Sequence, residues 1–174
     1  KDNSLKGALK RGRWDVMALP KTAIDFSGPK IVAPQRSRVN TFGYNDVQWY
    51  ASADVYFITA KKSTNLDLYY LLGVLNSKLY YMWLYFKGKR KGEMLELYQK
   101  PLSEIPIKSP TSRESSFITQ IVRKLIKNNS GVSNFDDLNN EVYKIYNLSR
   151  EDILRVEKFY DGNIGFTLEE ELKE

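Results

Sequence analysis

A chain of 174 residues can bury a sizeable core in one or two small domains, and 42% hydrophobic with 13% aromatic residues marks it as globular rather than disordered. It contains no cysteine and no histidine, which excludes a disulfide framework, thiolate chemistry, zinc sites built on Cys or His, and any imidazole base. The net charge of +6 is uneven: residues 1–110 carry 18 Lys+Arg against 9 Asp+Glu, and residues 111–174 carry 9 against 12, so the front part is expected to meet an anionic partner.

No apolar run reaches transmembrane length. The longest, residues 68–86, is interrupted by Asn76, Ser77 and Lys78. No secretory leader is expected, and the absence of an initial methionine points to a processed or excised chain. The cytoplasm is the default compartment, with no membrane partner. A metal site would need carboxylates alone, and none has calcium-loop spacing, so no metal is expected.

Residues 1–29 are broken repeatedly by Gly7, Gly12, Pro20, Gly28 and Pro29; residues 14–19 fit a short strand or a short helix. Residues 30–33 read as a strand that stops at Pro34, and residues 47–51 and 55–60 as two more, rich in β-branched and aromatic side chains. Between them lie a polar segment, Gln35-Arg36-Ser37-Arg38-Val39-Asn40, and the turn formers Gly43 and Asn45.

A helix is expected from Thr64 or Asn65, capped by Thr64 with Asp67. Its apolar residues Leu68, Leu71, Leu72, Leu75, Leu79, Met82 and Phe86 keep helical spacing over five turns, and Gly88 ends it. Tyr69, Tyr70, Tyr80, Tyr81, Trp83 and Tyr85 on it are read mainly as core or rim rather than as stacking platforms. Next come Lys87-Gly88-Lys89-Arg90-Lys91-Gly92, four cations in five residues on a glycine-hinged loop suited to phosphate, and a short strand over residues 93–98. Glu93 and Glu96 would face opposite sides of that strand, which argues against a shared metal and a nuclease.

Residues 111–160 read as helical. Thr111 with Glu114 and Ser149 with Asp152 have the spacing of capping boxes. Phe117, Ile118, Ile121, Val122, Leu125 and Ile126 form one apolar stripe; Phe135, Leu138, Val142 and Ile145 form another. A third helix carries Ile153, Leu154 and Val156 and is expected to stop near Gly162. A DNA-reading helix-turn-helix around Asn147 is disfavoured, because Glu151, Asp152, Glu157 and Asp161 make its second helix acidic. There is no dinucleotide glycine fingerprint, Walker loop or serine nucleophile elbow, so binding is favoured over catalysis.

Several blocks taken in order resemble one family. Residues 29–38, Phe42-Gly43-Tyr44, Tyr50-Ala51-Ser52 and residues 54–58 resemble the opening of the TaqI-like specificity domain. Residues 70–79, the basic glycine loop, Leu95-Glu96-Leu97-Tyr98 and residues 101–107 are similar to its central block, and residues 138–153 to a helical element that often follows. The resemblance spans roughly residues 14–160. It implies the DNA target-recognition domain of an adenine-specific methyltransferase or type IIG restriction–modification enzyme. S-adenosylmethionine would bind in an upstream methyltransferase domain of the same polypeptide, which would also carry an Asn-Pro-Pro-Tyr-type motif; this sequence contains neither.

In that role double-stranded DNA is the partner. Lys87, Lys89, Arg90 and Lys91 suit phosphate contacts, while Gln35, Arg36, Arg38 and Asn40 suit base edges, since Arg pairs with guanine and Gln or Asn with adenine. No catalytic, cofactor-binding or metal residue is expected on this chain. Asn76 is read as a helix-packing residue, and Glu96, Tyr98, Trp49 and Tyr50 as sheet residues. The expected fold is mixed α/β: a small twisted sheet from residues 30–60 and 93–98, helix 66–86 packed on it, and a helical extension. The division is 1–110 for target recognition and 111–174 for the extension. The alternatives are a non-specific nucleic-acid binder and a protein-interaction module.

Overall fold

Alternation decides which side of the first strand turns inward. In the computed structural model, which describes residues 27–51, 54–60, 66–128 and 133–171, β1 (Lys30–Pro34) buries Ile31 and Ala33 on one face. It is the middle strand of an antiparallel sheet, flanked by β3 (Gly43–Asn45) and β4 (Val55–Ile58). A second antiparallel sheet has the order β2 (Arg36–Ser37), β6 (Met94–Glu96), β5 (Lys89–Lys91). The sheets meet at Gln35, whose backbone N–H donates to Asp54 O (2.6 Å) and whose carbonyl accepts from Leu97 N–H (2.8 Å). One polypeptide run thus crosses from the first sheet to the second.

The helices are α1 (Leu68–Leu75), α2 (Lys78–Lys87), the short α3 (Gln99–Ser103), α4 (Ser112–Asn128), α5 (Ser133–Ile145) and α6 (Arg150–Glu171). The fold is mixed α/β, small sheets packed with helices and followed by a helical extension. Ile31 and Ala33, Tyr70 to Leu75 of α1, Tyr80 and Leu84 of α2, Leu95 and Leu97, Ile118 and Val122 of α4, and Leu138, Val142 and Ile145 of α5 contribute to one core. Gly73 is what lets α4 and α5 approach α1. A Cβ there would stand 2.7 Å from an Ile118 methyl and 2.8 Å from a Val122 methyl.

Several expectations need correction. The single helix over residues 66–86 is two helices, broken at Asn76 and Ser77. Polar side chains at the break outcompete continued helix. Ser77 caps α2, and Asn76 exchanges bonds with Phe42, accepting from its N–H at 3.0 Å and donating to its carbonyl at 2.9 Å. This is the packing role expected of Asn76. The break shifts the helical phase, so Tyr80, Tyr81 and Leu84 face inward while Phe86 is exposed. Thr64 lies outside the described residues, and Asp67 itself is the N-cap, accepting from Tyr69 N–H at 2.7 Å.

Gly43 and Asn45 are not a turn but the strand β3. Residues 47–51 are not a strand: Val47 and Tyr50 are more than half exposed, leaving no side to bury. The third C-terminal helix does not stop at Gly162 but continues to Glu171. Phe159, Tyr160 and Ile164 pack on the core, outweighing the roughly 1 kcal/mol that a mid-helix glycine costs. Both capping boxes form: Thr111 N–H donates to Glu114 at 2.6 Å, and Asp152 N–H donates to Ser149 Oγ at 3.1 Å. Residues 14–19 lie outside the described residues. No helix among the described residues is long and apolar enough to cross a membrane.

Candidate nucleic-acid interface

The basic stretch after α2 is not a loop but half of a hairpin. Gly88 ends α2, and β5 pairs with β6 in the register Lys89↔Glu96, Arg90↔Leu95, Lys91↔Met94. That leaves a two-residue turn, Gly92-Glu93. Gly92 has φ of +61°, the left-handed conformation that tight hairpins place on glycine.

Pairing then sorts the side chains. Leu95 and Leu97 are buried in the core, so their strand neighbours Met94, Glu96 and Tyr98 belong to the opposite face. Opposite Glu96 stand Arg36 on one side and Lys89 on the other, which puts all three in one row across the sheet. Lys91, opposite Met94, shares that face. Arg90, opposite Leu95, turns the other way and lies over the Tyr85 ring, 3.8 Å from its centroid.

Glu96 is the hub. Its side chain is only 7% exposed. Arg36 Nε donates to Oε1 at 3.3 Å, the Tyr98 hydroxyl donates to Oε2 at 3.0 Å, and Lys89 Nζ is 3.7 Å from Oε2. Burial pushes the carboxyl pKa up, but the Tyr98 hydroxyl, Arg36 and Lys89 together outweigh this and hold it below the usual glutamate value. The Tyr98 hydroxyl first, and then Glu96, hold the Lys89 ammonium above the usual lysine value. Lys89 is 66% and Arg36 40% exposed. The face thus presents fixed cations anchored on a sunken carboxylate.

The two segments singled out in the sequence therefore meet. Arg36 from one and Lys89 and Lys91 from the other share one surface, although Arg36 and Lys89 lie 53 positions apart in the sequence. Arg38 and Lys87 are also exposed. Gln35 is half-buried, and its backbone joins the two sheets. Asn40 stands apart. It is buried and donates to Leu75 O at the end of α1 (2.6 Å) and to Ser77 O at the cap of α2 (2.9 Å), tying the helix break together. Its amide is committed inside the protein, which corrects its assignment as a base reader.

The sequence reading gave Glu96 and Tyr98 only a packing role. The signal for more was the strict alternation Met94-Leu95-Glu96-Leu97-Tyr98, which puts two polar side chains on the face opposite two leucines. Among the described residues no cluster of three or more acidic side chains is placed to hold a metal ion.

Fold and site together define a small basic β-sheet domain, braced by helices, with cations gathered on one outward face. The profile of the TaqI-like C-terminal specificity domain matches residues 12–107, more than half of the chain, and the chain belongs to that family. Such a domain is a specificity module and not a catalytic one.

Three curated relatives are similar over part of their length. The type II methyltransferase M.HincII of Haemophilus influenzae is 29% identical over 66% of this chain and 25% of its own. M.HindII of the same species is 29% identical over 57% of this chain and 21% of its own. M.MjaIV of Methanocaldococcus jannaschii is 27% identical over 69% of this chain and 44% of its own. The chain thus spans less than half the length of these relatives. Among solved structures, the type IIL restriction–modification enzyme MmeI in complex with DNA has the same fold over 92% of this chain and 24% of its own, with a TM-score of 0.61 and 14% identity.

Proposed function

We propose that this chain is the sequence-reading part of a DNA adenine methyltransferase of a restriction–modification system, and that it holds double-stranded DNA against the outward face of the β2–β6–β5 sheet. The observation that carries the reading is the convergence of Arg36, Lys89 and Lys91 on that face from distant segments. Membership of a specificity-domain family and the methyltransferase names of its relatives support the same reading.

The division of labour follows from chemistry. Exposed lysines contact phosphate without reading sequence, while an arginine fixed in direction can pair with the edge of a guanine. A methyltransferase must also extrude its target base, at a cost of a few kcal/mol, and duplex contacts made by a separate domain offset that cost. The sequence holds no glycine fingerprint and no Asn-Pro-Pro-Tyr motif. Binding of S-adenosylmethionine and methyl transfer are therefore assigned to another part of the parent polypeptide, next to which this domain would sit.

The test is selection of duplexes from a library with a randomised central segment, followed by competition with scrambled DNA at several salt concentrations. Enrichment of one short motif, with log affinity falling linearly against log salt, is the expected result. Salt-dependent binding without enrichment would favour a non-specific nucleic-acid binder instead. Salt-insensitive or absent binding would overturn the reading.

A further inference from the structure

We infer that Glu96 is a positioning residue for DNA discrimination: a carboxylate sunk in a cationic sheet, it fixes the direction of Arg36 and Lys89. The inference rests on the DNA-reading role proposed above and assigns a residue within it.

An anion is costly at such a place on any simple account of affinity. A surface that needed only positive charge would be served better by glutamine or threonine at position 96, because each carboxylate subtracts from the attraction for phosphate. Packing does not explain it either, since the strand already buries Leu95 and Leu97 on its inner side. Geometry gives the carboxylate work on both of its oxygens. Oε1 receives Arg36 from β2, and Oε2 receives the Tyr98 hydroxyl and faces Lys89 from β5. It therefore ties together all three strands of the sheet.

Arginine and lysine side chains on open surfaces sample many rotamers, and ordering one on binding costs conformational entropy. Arg36 is held while still 40% exposed, so part of its ordering precedes DNA. Its guanidinium uses Nε toward Glu96, which leaves the terminal nitrogens as the donors for a base edge. The Lys89 ammonium lies 5.4 Å from the Tyr98 ring centroid, and the hydroxyl of that same ring bonds Glu96. Carboxylate, phenol and cations form one closed set.

Glu96→Gln keeps the shape and removes the charge. With Arg36 and Lys89 released, binding to random duplexes should strengthen several-fold and the log–log salt slope should steepen by about 0.9, the value of one further phosphate contact. Discrimination between the selected motif and scrambled DNA should fall on the order of tenfold, in the range of one lost base contact. Glu96→Asp should restore part of the discrimination. A residue that merely supported the fold would lower both kinds of binding together.

Unchanged discrimination in Glu96→Gln, with random-duplex affinity raised, overturns the positioning role and leaves DNA recognition standing. A wild-type chain that selects no motif overturns the recognition reading and the positioning role with it. Should the glutamine variant fail to fold, the wild-type chain still decides through the Arg36 Nε–H resonance. A protected, ordered Nε–H supports the inference, and one as mobile as a free arginine side chain overturns it.

Discussion

Glu96 and Glu157 gather the same partners, a lysine and a tyrosine hydroxyl, and do opposite things with them. At Glu96 the carboxylate is sunk at 7% exposure while Lys89 reaches out at 66%. At Glu157 the lysine is the sunken partner: Lys78 is 17% exposed and the carboxylate 33%. Lys78 pairs with Glu157, Tyr143 donates to the same carboxylate at 2.7 Å, and Asp161 lies 3.8 Å from the ammonium. Burial works against the charge on Lys78, but Glu157, Asp161 and Asp136 outweigh it and hold the ammonium above the ordinary lysine value. The second cluster clamps α6 against the start of α2 and leaves little charge for a partner. The first keeps its cations available. Which member of an ion pair faces water separates a clamp from a binding surface.

The largest effect on stability should come from breaking the clamp. Lys78→Met leaves Glu157 and Tyr143 without their cation and should cost about 2 kcal/mol of stability, less than a fully buried pair because Glu157 is partly solvated. Urea denaturation would show this as a lowered midpoint. Duplex affinity per folded molecule should stay the same. A change in DNA discrimination in this variant would blur the distinction between the two clusters.

Arg36→Ala comes next. It should weaken binding to the selected motif by about 1–3 kcal/mol and relax one base position, with stability changed far less than in Lys78→Met. Equal losses on selected and scrambled duplexes would reduce Arg36 to a phosphate contact. Lys91→Ala should be milder: a several-fold loss on every duplex and a salt slope flattened by about 0.9. An unchanged slope would remove Lys91 from the phosphate-binding face.

Much of this contrast was legible in the sequence, but unevenly. Period-2 and helical spacing located β1, β4, β6 and the C-terminal helices, and Thr111-Glu114 and Ser149-Asp152 gave helix starts with a mechanism. The basic run and the polar segment after β1 were both singled out. What spacing could not supply was pairing: nothing local puts Arg36 opposite Glu96, because that register is set by the hairpin and by Gln35 bridging the two sheets. Asn40 looked like a base reader because its amide chemistry is the same whether it meets adenine or a helix end. Only the packing of residues 40–42 against the break at Asn76 decides between them. The break itself was hidden by seven well-spaced apolar residues, since periodicity does not register two polar side chains that stop the helix.

The finest effect expected at the Glu96 cluster lies in proton affinity. Burial alone would raise the Glu96 pKa, and the Tyr98 hydroxyl leads the contributions that bring it below the usual glutamate value. A carboxylate whose pKa is lower in the folded state than in the unfolded one favours folding at every pH above the unfolded value of about 4.3, and that contribution is lost as pH falls through the folded value. The Glu96 carboxyl carbon, followed by NMR, should therefore titrate below the ordinary glutamate value. Tyr98→Phe removes the leading donor and should move the midpoint upward, with Arg36 and Lys89 still in place to limit the rise. Binding to random duplexes should hardly change at neutral pH, because the carboxylate remains charged in both proteins. A midpoint that does not move would mean the cations alone hold Glu96. Tyr98 would then matter to the sheet only as a ring beside Lys89.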